Sequence, residues 1–577
     1  MADNILDFML SKKNNKSFDG YGRVTRVNKD IDPDEIFLDS SNLPNFDNSQ
    51  FEGRIVKPIS GTGIAFLAVF FFLAFAVFAV KIWNIQIVKG AEYSTRSENN
   101  RLHHTTVFSA RGVIYDRNGK ELVWNTYGDD KEFALRKYID LAGFSHILGF
   151  VKYPAKDSSG FYYNEDYVGK EGVEKFYNDT LTGENGMKIV ETNALGKIQS
   201  GDIIRQPKSG ANITLSIDSS VQSKLYESIS GLAKKSGFSG GAGVIINVEN
   251  GEILALSNYP EYSSQVLSDG SDNRLIKDYL NDDNKPFLNR VVDGLYTPGS
   301  IVKPFVALGA LTENIIKPYD LIFSGGSISV PNVYNPSKPS VFTEIRAHGY
   351  VDVRKALAES SNVYFYEIGG GFEKQPGLGI SNIEKYMRLF GFGSDFPTGF
   401  FSGKEGIVPN PEWKRETFKN DSQWRIGDTY NTSIGQYGFQ VTPIQVARAI
   451  SAVANGGRLI NPSIILNQSN IDSKMISIRS DDFKVVREGM RGAVLYGTAV
   501  GLNIPQIEVA AKTGTAELGT SKKFVNSWAI GFFPYKNPRY AFAVLMERGP
   551  SVNLVGGLFV MRELLDWMSV RASQYLE

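Results

Sequence analysis

Three short groups of residues carry types and spacings that can do acyl-transfer chemistry. Ser300 and Lys303 sit three apart, just after Pro298-Gly299, where the pattern predicts a helix start. Residues i and i+3 of a helix share a face, with Cβ atoms ~5–6 Å apart, so an amine at 303 can reach a hydroxyl at 300. A buried lysine loses part of its preference for charge and can then act as a general base. The free N–H groups and positive dipole end of the helix start suit a developing oxyanion. The plain alternative is an exposed serine and lysine with no role.

The second group is Ser360-Ser361-Asn362, in a segment that reads as a helical hairpin. A hydroxyl and an amide two apart can bridge to Lys303 and hydrogen-bond a peptide carbonyl. Taken alone it is weak, because Ser and Asn are common helix caps. The third is Lys512-Thr513-Gly514-Thr515, opening a predicted strand. Its lysine and two hydroxyls can hold a carboxylate, and Gly514 lets a substrate backbone come close. Alone it reads equally as a surface strand end. The order of the three groups, the first on a helix start and the last on a strand, makes coincidence a poor account.

Other chemistries are excluded by composition. The 577-residue chain has 62 Lys+Arg against 62 Asp+Glu, so it lacks the basic excess of a wholesale nucleic-acid binder. Cysteine is absent, which removes disulfides, thiolate metal sites and a cysteine nucleophile. Four histidines without HExxH argue against a zinc hydrolase, and no metal or cofactor is expected. His103-His104 reads as a solvated pair, His348 as a satisfied structural histidine, and Trp424 and Trp528 as core or groove-lining.

The elements that must position these groups follow from hydropathy and turn signals. Residues 1–57 are rich in Asn, Asp, Ser and Lys and read as a disordered cytoplasmic tail. Residues 58–82 form the expected transmembrane anchor. Ile64–Val80 is an unbroken apolar run, and Gly61–Val80 as a helix rises ~30 Å, the hydrocarbon thickness. Phenylalanine on every side argues against a core helix, and the long leader argues against a cleaved signal. Arg54 and Lys57 before the span balance Lys81 and Lys89 after it, so charge does not set orientation.

Residues 83–211 read as a β-rich pedestal, with a hairpin signal at Asn118-Gly119 and a short helix in GKEGVEKFYNDTLTGENG. From Asn212 to Glu577 the pattern changes. NITLSID reads as a strand, SSVQSKLYESISGLAKKSG as a Ser-capped helix, and GAGVIINVENGEILALSNY as a hairpin. Helical segments follow, then three consecutive antiparallel strands and a last helix. The expected class is α+β: a central antiparallel sheet with helices.

The set SxxK, SxN and KTG, in this order, is shared by β-lactamases and penicillin-binding proteins. Over roughly residues 65–575 the chain resembles a class B penicillin-binding protein. NRVVDGLYTPGSIVKPF, SWAIGFFP and SARGVIYDRNGKELVWN carry the likeness. WRIGDTYNTSIGQYGFQVTPIQ and HGYVDVRKALAESSNVYFYEIG resemble the elongation branch, penicillin-binding protein 2.

The resemblance implies a transpeptidase domain of the serine-β-lactamase-like fold on an elongated pedestal. Ser300 would be the acylated nucleophile, Lys303 its base, Ser360 a proton relay and Asn362 an orienter of the donor amide. Lys512, Thr513, Gly514 and Thr515 would bind the terminal carboxylate of a D-Ala-D-Ala stem. Backbone N–H groups of Ser300 and Thr515 would form the oxyanion hole. Implied partners are peptidoglycan stem peptides, the membrane, a SEDS-type glycosyltransferase and elongation scaffold proteins. No glycosyltransferase domain precedes the pedestal, so polymerisation would need that partner. The implied location is the plasma membrane, with C-terminal domains periplasmic.

Three positions depart from the family pattern: Glu517 where Gln is expected, Gly403-Lys404-Glu405-Gly406 as a loose acidic-Gly motif, and Asn526 where His is common. The alternatives are a division-specific transpeptidase, a D,D-carboxypeptidase or β-lactamase-type hydrolase, and a non-catalytic β-lactam sensor or wall-synthesis scaffold.

Overall fold

The computed structural model describes residues 61–577, except 129–131, 159–161, 193–197, 333–334, 336, 395–399, 401–402 and 470–471. The expected tail, residues 1–57, and the start of the expected anchor lie outside the described residues. The chain divides into two compact units at Asn100/Arg101. In the first, helix α1 spans Gly61–Trp83 and passes into a π-helical turn, Asn84–Val88. Within Gly61–Val88 the most apolar 18-residue window has a mean hydropathy of 2.8, and none of the stretch is buried, so it is long and apolar enough to cross a membrane.

In the second unit, the N-terminal part is built from short strands. The ones that build its two larger sheets are β1 (Leu102–Val107), β2 (Ile114–Tyr115), β3 (Glu121–Thr126), β4 (Leu135–Tyr138), β5 (Gly186–Thr192), β6 (Ile198–Arg205) and β7 (Ile213–Thr214). β1, β5 and β6 form one sheet; β7, β2, β3 and β4 form another. The β2–β3 hairpin turns at Asn118-Gly119 as its sequence predicts, with Gly119 at φ +79°. NITLSID supplies only the two-residue β7, which pairs in parallel with β2. A buried ion triad holds this part together. Arg111 Nε lies 2.6 Å and Arg136 Nε 2.8 Å from the two oxygens of Glu174, all three side chains being 0% exposed.

The C-terminal part opens with α2 (Ser219–Ser236) and the hairpin β8 (Gly240–Asn247)–β9 (Ile253–Tyr259). Asp218, not a serine, caps α2: its carboxylate accepts from the N–H groups of Ser220 and Val221. Next come α3 (Lys303–Thr312), a small hairpin of β10 (Ser327–Val330) and β11 (Ser340–Thr343), then α4 (Val353–Glu359) and α5 (Asn362–Gly370). They are followed by α6 (Pro443–Ala454) and α7 (Ser480–Leu495). Strands β12 (Ala510–Leu518), β13 (Phe524–Phe533), β14 (Tyr540–Pro550) and helix α8 (Gly557–Arg571) close the fold.

One antiparallel sheet, in the order β9-β8-β14-β13-β12, divides two apolar cores. Val244 and Ile246 of β8, with Ala543 and Leu545 of β14, join the core that contains Ile444 and Ile450 of α6. Ile245, Phe542 and Val544 point the other way, toward Val221, Leu225 and Ile229 of α2 and Val560 and Leu564 of α8. Alternation along a strand puts successive side chains on opposite faces. Both faces are covered, so these strands are nearly continuous apolar runs instead of polar/apolar alternations. Each fully buried Val, Leu, Ile or Phe contributes ~1.5–3 kcal/mol, which makes this sheet the rigid base of the site.

Candidate active site

Ser300 lies in a tight 3₁₀ turn, Gly299–Val302, and Lys303 begins the α-helix proper. The sequence predicts one α-helical start; the Gly299 φ of +58° and the Pro at 304 produce the tighter turn instead. In a 3₁₀ turn residues i and i+3 eclipse, which keeps Ser300 and Lys303 on one edge.

This turn is gripped from two sides. Gly299 N–H donates to Gly435 O at 2.9 Å, and Trp528 Nε1 donates to Thr297 O at 3.0 Å. The backbone of Gly435, at φ +76°, comes so close that a Cβ there would lie 2.1 Å from Gly299 O. On the strand side, a Cβ at Gly514 would lie 2.7 Å from Ile301 Cγ2 and 3.0 Å from Pro298 O. Gly514 therefore admits the Ser300 turn itself, a closer neighbour than the substrate backbone foreseen from sequence. Ser300 thus sits beside the Lys512–Thr515 strand segment and is half-buried.

Lys303 is 0% exposed and donates three hydrogen bonds: to Ser360 O at 2.8 Å, Ser360 Oγ at 3.3 Å and Asn362 Oδ1 at 2.7 Å. None of its hydrogen bonds goes to Ser300. Asn362 has its oxygen turned to the amine, which leaves its NH₂ as a donor. Burial pushes the Lys303 amine well below the usual lysine value; the positive charge of Lys512 pushes the same way and Glu344 opposes.

Ser360 is the hinge of the site. The segment VRKALAESSNVYFYEIGG, which reads as a helical hairpin, is two helices that part at this residue. Ser360 takes the left-handed conformation, φ 61° and ψ 38°, at the end of α4, and Ser361 then caps α5. The break turns Ser360 Oγ toward two lysines. Lys512 Nζ donates to that oxygen at 2.8 Å and to Thr513 O at 2.7 Å. Lys512 is fully buried in β12, and burial lowers its amine to about 7. Thr513 Oγ1 donates to Thr498 Oγ1 at 2.7 Å, and Thr515 is exposed on the same strand. All eight sequence-selected residues therefore belong to one cluster.

Sequence reasoning missed Glu344, whose carboxylate takes the N–H of Asn362 at 2.8 Å, and Gly435 behind the Ser300 turn. An isolated Glu in a loop carries no local signal. His348 is a partnered structural histidine as expected, its Nδ1 2.6 Å from Glu359. Trp528 is core at 1% exposure, whereas Trp424 is half-buried and donates to Thr429 Oγ1 at 2.8 Å. Asn526 lies at a bulge between β13 and β14 and accepts from Arg548 N–H at 3.0 Å. Glu517 pairs with Lys522 at 2.6 Å on the surface.

Residues 241–557 match the family model described as penicillin binding protein transpeptidase domain, and 131–215 match the penicillin-binding protein dimerisation domain. The chain belongs to the penicillin-binding protein transpeptidase family. A Haemophilus influenzae relative, peptidoglycan D,D-transpeptidase MrdA, is 27% identical over 84% of this chain and 88% of its own. Among solved structures, Pseudomonas aeruginosa PBP2 in complex with WCK 5153 is 28% identical with a TM-score of 0.67, covering 81% of this chain and 97% of that one. Helicobacter pylori PBP2, solved in complex with MreC, is 27% identical with a TM-score of 0.66, covering 82% and 99%. These penicillin-binding proteins share the mixed α+β architecture, as the sequence indicates.

Proposed function

We propose that the protein is a peptidoglycan D,D-transpeptidase of cell-wall elongation that works through an acyl-serine on Ser300. The observation that carries this reading is the convergence of Lys303 and Lys512 on Ser360 Oγ, beside the turn that presents Ser300. The relatives named MrdA support the substrate class and the elongation role.

Lys512, Thr513 and Thr515 hold the stem's terminal carboxylate. Asn362 Nδ2 orients the donor amide. Ser300 Oγ attacks the carbonyl of the penultimate D-Ala and its proton passes to neutral Lys303. The backbone N–H groups of Ser300 and Thr515 stabilise the oxyanion. Collapse breaks the peptide bond, and the leaving D-Ala amine takes a proton relayed through Ser360. The amine of a second stem then attacks the ester, forms the cross-link and returns the proton to Ser300.

In this reading the α1 segment spans the plasma membrane, 1–57 is cytoplasmic, 83–211 is the pedestal and 212–577 the transpeptidase domain on the periplasmic side. An elongation scaffold and a SEDS-type glycan polymerase are its partners; the Helicobacter pylori relative bound to MreC supports the scaffold. The test is mass spectrometry after exposure to benzylpenicillin. A stable adduct on the Ser300 peptide is expected. An unmodified chain would refute the acyl-serine, and rapid turnover of the adduct would point to a hydrolase.

A further inference from the structure

A buried carboxylate stands behind the Ser360–Asn362 junction. Glu344 directly follows β11, its N–H donating to Gly326 O at 3.0 Å, and its side chain is 2% exposed. Oε2 accepts from Asn362 N–H at 2.8 Å, Val363 N–H at 3.3 Å and Ser361 Oγ at 2.9 Å. Oε1 accepts from the Ser324 hydroxyl. Two backbone N–H groups and two hydroxyls face it, which suits an acceptor-only carboxylate. The two N–H groups are among those that the first turn of α5 leaves without intrahelical partners.

The other side of the junction is tied to the same group. His348 Nε2 lies 3.7 Å from Glu344 Oε2, and its Nδ1 lies 2.6 Å from Glu359 Oε2. Glu359 is the last residue of α4. His348 thus hydrogen-bonds Glu359 at the end of one helix and lies close to Glu344 at the start of the next, and Ser360 is the residue between the two helices. A left-handed serine is disfavoured by its Cβ and persists only where its surroundings hold it. If the start of α5 slides, Asn362 Oδ1 leaves Lys303 and Ser360 Oγ leaves both amines.

We propose that Glu344 is a positioning residue for acyl transfer: by holding the first turn of α5 it keeps Ser360 and Asn362 on Lys303. The proposal rests on the acyl-serine reading. Glu344 lies behind the motif and touches no reacting atom; it acts through the junction.

The test uses the full-length chain in detergent, native and with Glu344→Ala or Glu344→Gln, and a fluorescent penicillin. Labelled sites per chain and the acylation rate are measured separately. Glu344→Ala is expected to label one site per chain but about 30-fold more slowly, because a displacement of ~1 Å at a catalytic group costs up to ~100-fold. Glu344→Gln keeps an oxygen for the α5 N–H groups and can donate to Ser324 Oγ, so a rate within about five-fold of native is expected. A merely structural role would lower the number of sites and leave the remainder reacting at the native rate; that result overturns the proposal. So does a native rate in Glu344→Ala, or a Glu344→Gln no faster than Glu344→Ala. A native chain that takes no label overturns the acyl-serine reading, and this proposal with it.

Discussion

Lys303 and Lys512 share one hydroxyl: Ser360 Oγ is 3.3 Å from the first amine and 2.8 Å from the second. Both amines are fully buried, so two ammonium charges cannot comfortably coexist there. One amine is therefore available as a base while the other can hold an anion.

The pH dependence of acylation follows from this pair. Burial holds Lys303 well below the usual lysine value and Lys512 at about 7. On the proposed acyl-serine mechanism the neutral form of Lys303 would accept the serine proton, so the rate would rise as pH climbs through its titration. On the same proposal the charged form of Lys512 would grip the carboxylate, so the rate would fall as Lys512 loses its proton. A bell-shaped profile for the second-order rate with benzylpenicillin is expected, its two apparent values belonging to the pair. An acid limb still rising at the ordinary lysine value would refute it.

The same burial costs stability. Lys512 binds its proton more weakly in the folded chain than in the unfolded one. Its destabilisation is therefore full below pH ~7 and fades as pH rises toward ~10.4, the ordinary lysine value. Lys512→Met is expected to raise the unfolding free energy at pH 6 by roughly 1 kcal/mol or more, with a smaller gain at pH 10. Thermal melts at the two pH values check this, and labelling should be lost at both.

Ser360 separates side-chain chemistry from backbone strain. Ser360→Gly removes the hydroxyl together with its Cβ, and with the Cβ the steric cost of the left-handed conformation. A fall in acylation rate of ~10²–10⁴-fold with an unchanged Tm is expected, the range typical of a lost proton-transfer group. Ser360→Ala removes only the hydroxyl and keeps the Cβ strain that the native serine already carries, so it should lose the same rate and be ~1 kcal/mol less stable than Ser360→Gly. Equal stability in the two variants would contradict the geometry.

Gly435→Ala should act on the Ser300 turn without touching any of the motifs. Its Cβ would meet Gly299 O at 2.1 Å, with backbone at φ +76°. Slower acylation, by at least about ten-fold, is expected from the displaced serine. Labelling kinetics at a temperature where circular dichroism shows a folded chain would check it.

Away from the site, Glu174 balances two guanidinium groups at 0% exposure. Glu174→Ala leaves both buried and unpaired, and a loss of about 3–5 kcal/mol is expected. Denaturant unfolding measures it; a change under 1 kcal/mol would show that water reaches the triad.

Much of this was legible in the sequence because it is written locally. The apolar run of α1, the Asn-Gly hairpins and the largely apolar strands β13 and β14 follow from short-range periodicity and turn chemistry. So do the three motifs, each confined to four residues or fewer. What the sequence could not state were the consequences of long-range packing. Asp218 rather than a serine caps α2, because the residue before the run is the one left in extended conformation. A helical hairpin was legible around residues 360–362, but that the break falls on Ser360, where Ser361 and a distant Glu344 cap the second helix, depends on packing. The tertiary structure alone joined Ser300, Ser360 and Lys512, since the sheet and the paired glycines at 514 and 435 set how closely those backbones approach. Residue types determined which chemistry is available; distances and burial, which exist only in the folded chain, decided which lysine can be neutral and where its proton can go.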